Sequence, residues 1–138
     1  MSFLRIWLHL IWSTKNREKI ITNELKPLLL KHMAANANEK EIHIDSINCT
    51  SDHIHVLLCM SPKYSLSETM KLLKGESSHW VNTNKLLNTK FEWQDDYFAV
   101  SVSESQVDKV REYINNQEEH HKKKTFLQEY ESFIKKFG

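Results

Sequence analysis

The chain has 138 residues, 19 basic and 18 acidic side chains, and only two glycines and two prolines, which fits one domain without a flexible linker. It contains no run of about 18 apolar residues, so a membrane span is excluded. A net charge near neutrality is unlike a nonspecific nucleic-acid coat protein, and the absence of a secretory layout, with two cysteines in apolar runs, predicts a cytoplasmic protein.

The first half of the chain alternates between strand and helix patterns. Residues 3–13 are rich in aromatic, β-branched and leucine side chains and predict a strand. Thr22 or Asn23 then caps a helix, whose predicted buried positions are Leu25, Leu28, Leu29, His32 or Met33, and Asn36. Residues 42–49 predict a second strand, whose side chains alternate in direction so that Ile44 and Ile47 point to opposite faces. Residues 53–60 form a further apolar run, which predicts a third strand. Because only residues 50–52 separate these two strands, we expect an antiparallel hairpin.

The second half begins with a capping box, in which Ser65 is followed three residues later by Glu68. The helix it opens is predicted to pack through Leu66, Met70, Leu73, Ser77 and Trp80. Residues 97–103 alternate as a fourth strand, and Ser105 with Asp108 predicts the cap of a third helix that packs through Val107, Val110 and Ile114. Residues 126–137 predict a last amphipathic helix.

This order of elements predicts an α+β fold, a ferredoxin-like or RNA-recognition-like sandwich. Four antiparallel strands would form the sheet, with the first two helices on one face. The opposite, open face is left for a site, a partner or the third helix. Because side chains alternate along a strand, Ile54, Val56 and Leu58 should face the helices, whereas His53 and His55 should lie on the open face.

The histidine pair is the first candidate for chemistry. His53 and His55 stand at the beginning of an apolar strand and project from the same face, close enough to converge on one ion. A pair of this kind is weak evidence for a metal site by itself, because most such pairs are ordinary surface or core histidines.

A tyrosine and a glutamine strengthen this interpretation. In the third helix Tyr113 and Gln117 would share a face one turn apart. Together with the histidines they would supply three neutral metal ligands and a hydroxyl nucleophile, which indicates metal-assisted cleavage of a phosphodiester. Each also has an ordinary role open to it, Tyr113 in packing and Gln117 as a helix former.

Basic side chains cluster at two places, Lys15 with Arg17 after the first strand, and Lys122, Lys123 and Lys124 after the third helix. Both clusters are candidates for contacts with a phosphate backbone, a role that charge serves without reading sequence. Solvated charge at a loop or a helix end explains either cluster equally well.

Three of these segments together resemble the HUH single-tyrosine transposases, the small enzymes of hairpin-ended bacterial insertion sequences. They are Asp52 with the His53-Ile54-His55 triplet, residues 12–17, and residues 98–105 leading into residues 110–117. The resemblance covers essentially the whole chain, which would be a single transposase domain over residues 1–138. One departure is the acidic pair at Asp95 and Asp96, where relatives tend to have small, glycine-containing sequence.

The resemblance implies a complete set of roles. His53, His55 and Gln117 would be metal ligands and Tyr113 the nucleophile, with Mg²⁺ or Mn²⁺ as the cofactor. The substrate would be single-stranded DNA with hairpins, cleaved and rejoined through a 5′-phosphotyrosine intermediate. Relatives work as homodimers in which the tyrosine helix can complete the partner's histidine site.

Two other interpretations stay open. One is a nonenzymatic or degenerate single-stranded nucleic-acid-binding module of the same fold, which would carry aromatic side chains on its central strands for base stacking. The other is a replication initiator or relaxase nickase with the same chemistry, although those proteins tend to carry extra domains for which this chain has no space.

Overall fold

The computed structural model describes residues 4–116 and the single residues 128, 131 and 135. The predicted last helix, over residues 126–137, therefore lies outside the described residues apart from those three positions. Two short 3₁₀ turns, Lys15–Arg17 and Glu104–Gln106, follow the first strand and precede the third helix. The main elements are β1 (Trp7–Ser13), α1 (Leu25–Glu39), β2 (His43–Cys49), β3 (His53–Cys59), α2 (Leu66–Thr83), β4 (Phe98–Val102) and α3 (Val107–Asn115).

The four strands form one antiparallel sheet in the order β2-β3-β1-β4. β2 and β3 make the predicted hairpin, and β1 lies between β3 and β4. The predicted α+β, ferredoxin-like architecture is confirmed. β1 and β3 are the central strands, so side chains on them are the most deeply enclosed.

The helices α1 and α2 cover one face of the sheet and α3 covers part of the other. The core beneath α1 and α2 includes the strand residues Leu10, Trp12, Ile54, Val56 and Leu58. The second core lies beneath α3 and consists of Leu57, Val102, Val107, Val110 and Ile114. The predicted alternation of β3 is thus confirmed, with its two histidines on the α3 side of the sheet. No helix among the described residues is long and apolar enough to cross a bilayer.

The predicted capping box of α2 is confirmed, whereas α1 begins later than predicted, with Glu24 and not Thr22 or Asn23 directly before its first residue. The Thr22 hydroxyl accepts a hydrogen bond from the Leu25 amide at 3.1 Å. At α2, Ser65 and Glu68 form the reciprocal hydrogen bonds of a capping box. The prediction of Ser105 as the cap of α3 is wrong, because this residue lies inside the 3₁₀ turn that precedes the helix.

The first strand is shorter than predicted. β1 begins at Trp7 and not at residue 3, because its partner β3 ends at Cys59, directly opposite Trp7. One further hydrogen bond joins the Met60 amide to the Ile6 carbonyl at 2.8 Å. Beyond that point β3 offers no further strand residues with which the chain could pair.

The second strand contains a bulge that breaks the predicted alternation. The pairing of β2 with β3 shifts between Ile44 and Ser46, so that Asp45 is an extra residue. Ile44 and Ile47 consequently both pack on the core beneath α1 and α2. The prediction that they point in opposite directions is wrong, because the alternation of residues in the sequence does not show where a strand contains one extra residue.

The buried stripe of α1 advances in steps of four residues, through Leu25, Leu29, Met33 and Ala37. Leu28, which was predicted to be in the stripe, is 50% exposed. A residue three positions after Leu25 lies on the flank of the helix, and in this packing that flank faces solvent.

Leu29 and Leu28 allow a matched test of this packing. We expect Leu29→Ala to lower the free energy of unfolding by about 2–5 kcal/mol, because it removes a fully buried side chain. Leu28→Ala should change it by about 0.5 kcal/mol or less, as is usual for surface positions. Urea unfolding followed by circular dichroism measures both; equal losses would contradict the assigned stripe.

Candidate active site

Strand β3 places two imidazole rings side by side on the sheet face that α3 shares. His53 and His55 are both buried, and their ring centroids lie 5.3 Å apart. This closeness follows from the two-residue period of a strand, which returns side chains to the same face. Buried imidazoles require hydrogen-bond partners, because an unsatisfied polar group is costly away from water.

The partners of His53 come from the turn that begins β3. Its Nδ1 lies 2.7 Å from Asp52 Oδ1 and 2.9 Å from Thr50 Oγ1, and the Thr50 hydroxyl also donates to Asp52 at 3.2 Å. With Nδ1 held by this turn, Nε2 is the nitrogen that would bind a metal ion. Metal-ligating histidines commonly donate their other ring nitrogen to a carboxylate in this way. The surroundings of His53 therefore fit a metal ligand.

The partner of His55 comes from the neighbouring central strand. His55 Nδ1 is 2.8 Å from Nε2 of His9, a buried residue of β1. As in His53, the nitrogen engaged is Nδ1, so Nε2 is again the nitrogen that would bind a metal ion. Sequence reasoning missed His9. The alternation of side chains along β1 places His9 on the open face of the sheet, but only the register of β1 against β3 reveals that it reaches His55.

Helix α3 brings a tyrosine to the two strands. The centroid of the Tyr113 ring is 5.9 Å from that of His55 and 6.4 Å from that of His9. Tyr113 also packs against the core beneath α3. The candidate nucleophile thus lies beside one of the two candidate ligands, His55, within a single chain.

A two-point contact fixes α3 to the edge strand β2. Arg111 Nε and Nη2 each donate to one carboxylate oxygen of Asp45, both at 2.8 Å. These hydrogen bonds hold the pKa of Asp45 below its usual range and raise the pKa of Arg111. The bulge in β2 is at Asp45, and bulges of this kind re-aim a side chain. Asp45 therefore connects an irregularity of the sheet to the helix that carries Tyr113.

A second contact holds the far end of the same helix. Asn48 Nδ2 donates to the Ile114 carbonyl at 2.8 Å, satisfying a backbone acceptor in the last turn of α3. Asn48 is also the β2 residue paired with His55 in the sheet. Tyr113 is thereby bracketed by two anchors, one at Arg111 and one at Ile114, which limits how far its ring can shift.

The third predicted ligand, Gln117, lies outside the described residues, as do Lys122, Lys123 and Lys124. Its role therefore stays a prediction. Among the described residues, no group of three histidine, cysteine, aspartate or glutamate side chains could hold a metal ion. A metal site built on His53 and His55 would thus need a donor of another kind or from elsewhere, as the prediction for Gln117 supposes.

The first basic cluster lies on the exposed turn that follows β1. Ser13, the last residue of β1, pairs with His53, so this turn leaves the sheet at the histidine end. Lys15 contacts Glu92 at 3.1 Å, and this ion pair raises the pKa of Lys15. Arg17 is exposed and adopts a left-handed backbone conformation at φ 53°. The turn therefore lies at the same end of the sheet as His53, and part of its charge is matched by Glu92.

Comparison with known proteins places the chain among transposases. Over residues 2–117 it matches the family of IS200-like transposases, and it belongs to that family. The ISDra2 transposase TnpA of Deinococcus radiodurans is 26% identical over 115 residues, or 79% of this chain and 81% of that protein. The transposase for insertion sequence element IS200 of Salmonella typhimurium is 29% identical over 120 residues, or 83% and 78% of the two proteins.

Solved structures agree with this assignment. A crystal structure of a proposed transposase from Deinococcus radiodurans superposes with a TM-score of 0.67 at 25% identity, covering 84% of this chain and 93% of that one. A REP-associated tyrosine transposase bound to a REP hairpin gives a TM-score of 0.64, covering 88% and 71%. At 14% identity the second match shows the shared fold.

The Asp45–Arg111 contact predicts a pH dependence of stability. Because the folded state lowers the pKa of Asp45, this contact stabilises fully above the unfolded pKa of about 4. The contribution is lost as the pH falls through the lower, folded value. We therefore expect the stability difference between the wild type and Asp45→Asn to shrink between pH 7 and about pH 2.

Urea unfolding across that pH range measures the difference. Asp108→Asn is the matched control, because Asp108 also contacts Arg111 at 2.7 Å but its side chain is 92% exposed. A smaller, flatter effect is expected from the control. A wild-type advantage over Asp45→Asn that stays constant down to the lowest pH would contradict the assignment.

Proposed function

We propose that this transposase cleaves and rejoins single-stranded DNA at the ends of an insertion sequence, with Tyr113 as the nucleophile and divalent metal assistance. The observation that supports this most directly is the position of the Tyr113 ring, 5.9 Å from that of His55 on a helix anchored at two points. His55 and its strand neighbour His53 are both buried and both engage Nδ1 in hydrogen bonds, which suits ligation through Nε2.

The covalent chemistry proceeds at the phenol oxygen. Tyrosine has a pKa of about 10 and is a poor nucleophile while it keeps its proton. When Tyr113 Oη attacks the scissile phosphorus, a new P–O bond forms and the bond to the 3′ oxygen breaks. The phenol proton leaves to solvent and the 3′ oxygen takes up a proton, which gives a free 3′-hydroxyl and a 5′-phosphotyrosine. A second 3′-hydroxyl reverses the step without ATP, because the ester conserves the bond energy.

His53, His55 and Gln117 are the residues that would hold the metal ion. A bound Mg²⁺ or Mn²⁺ supplies positive charge to the phosphate oxygens as negative charge develops on them. All three side chains are neutral ligands, so they leave the charge of the ion undiminished. Imidazole nitrogens also suit Mn²⁺ and Zn²⁺, and the preference for Mg²⁺ rests on the family resemblance.

The remaining contacts of the site serve to position these groups. Asp52 and Thr50 fix the orientation of the His53 ring, while Asp45 and Asn48 hold α3 through its side chain and backbone. Reacting groups that are held in place before substrate arrives avoid the entropic cost of ordering them during the reaction.

The proposed substrate is single-stranded DNA with hairpins. The relative solved with a REP hairpin supports a hairpin as the partner, and the exposed Lys15 and Arg17 lie at the histidine end of the sheet. We extend the same backbone-binding role to Lys122, Lys123 and Lys124. A homodimer with shared sites also remains a proposal from the resemblance, although Tyr113 already stands beside His55 of its own chain.

The nonenzymatic binding module is less well supported. Base stacking on such a sheet needs exposed aromatic side chains on the two central strands. On the corresponding face of this sheet, the central positions His9, Ile11, His55 and Leu57 are all buried. Helix α3 packs over Leu57 and leaves no room for bases to stack there.

The nucleophile can be tested by trapping the covalent intermediate. Incubation of the wild type with labelled, hairpin-bearing single strands and Mg²⁺ should yield a protein–DNA adduct on denaturing gels. Tyr113→Phe should abolish the adduct, because it removes the attacking oxygen. Tyr64→Phe is the matched control, since the Tyr64 hydroxyl serves a structural hydrogen bond to the Lys40 carbonyl. Adduct formation by Tyr113→Phe would rule out this role, and no adduct with any divalent ion would favour the binding module.

The metal requirement makes a separate prediction. Chelation should abolish adduct formation, and Mg²⁺ or Mn²⁺ should restore it. His53→Ala and Gln117→Ala should each raise the Mn²⁺ concentration needed for half-maximal adduct by at least about tenfold, the loss found even for groups that only support ligands. His32→Ala is the control, because His32 stacks on Trp80 in the helical layer. Full adduct formation in excess chelator would overturn metal assistance.

A further inference from the structure

His9 is a buried titratable residue that the chemistry above does not use. It lies on the central strand β1, is fully enclosed and faces α3. It does not complete a metal site, since no three histidine or acidic side chains of the described residues are arranged to hold an ion. A polar ring at such a position needs a reason, because leucine or valine would fill it at no cost in desolvation.

The contact between His9 and His55 gives that reason. His9 Nε2 and His55 Nδ1 are 2.8 Å apart, and the two ring centroids are 5.0 Å apart at a tilt of 34°. A neutral imidazole has one donor and one acceptor nitrogen. If His55 binds a metal ion through Nε2, that nitrogen must offer its lone pair, so the ring proton has to be on Nδ1. His55 is then the donor and His9 Nε2 the acceptor.

We infer that His9 is a positioning residue that selects the tautomer and the ring orientation of His55. This inference rests on the proposed function of His55 as a metal ligand. It also requires His9 to keep its own proton on Nδ1, since its Nε2 has to accept. His9 thus does for His55 what Asp52 and Thr50 do for His53, but as a neutral acceptor in place of a carboxylate.

The position of Tyr113 adds to the argument. Its ring makes edge contacts with both His9 and His55, with interplanar angles of 69° and 63°. A His55 ring that turned about its side-chain bonds would change its contact with the tyrosine as well as the direction of Nε2. The single hydrogen bond that His9 accepts from His55 therefore restrains two parts of the site.

The first test reads the tautomer directly, without any metal. In the full-length, metal-free protein, ¹⁵N–¹H correlation spectra of the imidazole rings should show His55 protonated on Nδ1 and His9 with an unprotonated Nε2. His9→Leu removes the acceptor and should shift His55 toward the Nε2-protonated form, which is the common one in water. A wild-type His55 protonated on Nε2 would overturn the inference, whatever the protein does with DNA.

The second test measures Mn²⁺ binding by electron paramagnetic resonance of the free ion. His9→Leu should weaken binding about 10–100-fold, as for other groups that support metal-ligating histidines. His9→Gln should stay within a few-fold of the wild type, because its amide oxygen can stand near the position of Nε2 and accept the same hydrogen bond. His32→Leu serves as the control, since it also removes a histidine but from the helical layer.

Melting temperatures of the four proteins separate positioning from simple structural support. A structural role alone would lower the melting temperature of His9→Leu and leave its Mn²⁺ affinity at the wild-type value, which would overturn the inference. If the His55→Ala variant bound Mn²⁺ as tightly as the wild type does, His55 would not be a metal ligand. That result would refute the metal site itself and, with it, the positioning role of His9. Rescue by His9→Gln together with loss in His9→Leu would support the inference.

Discussion

Two imidazole rings are buried on β3, one of the two central strands, and both have to be hydrogen-bonded. Much of the site is organised around that requirement. His53 and His55 share one face because of strand periodicity, and neither could be enclosed there without a polar partner. A turn supplies the partner of one ring and the adjacent central strand supplies that of the other. The same contacts that make burial tolerable also aim both rings, so stability and ligand geometry have a common origin.

The placement of α3 depends on the edge of the sheet more than on its centre. Its apolar stripe packs on Leu57, and such apolar contacts are not directional. Direction comes from polar contacts with β2, through the carboxylate of Asp45 and the amide of Asn48. Burial of apolar surface stabilises the packing of α3 without orienting it, whereas directional hydrogen bonds define one arrangement.

Features with a local cause could be predicted from the sequence. The face on which His53 lies and the capping box at Ser65 follow from residue spacing within one element, and both were correct. Leu28 was misplaced because the flank of a helix that meets the sheet is decided by tertiary packing. The contact of His9 with His55 and that of Arg111 with Asp45 join residues 46 and 66 positions apart. Strand register and a bulge create them, and neither leaves a clear periodic signal.

The extra residue in β2 makes the length of that strand a determinant of the site. Without Asp45 the strand would alternate regularly, with Ile44 and Ile47 still on the core side and Ser46 and Asn48 still on the other. A one-residue deletion there would preserve the hydrophobic pattern of the fold while removing the carboxylate that holds α3. A deletion at this codon would therefore match a substitution in its consequence for the lineage, because the shortened gene would still encode a folded protein whose tyrosine helix had lost one of its two tethers.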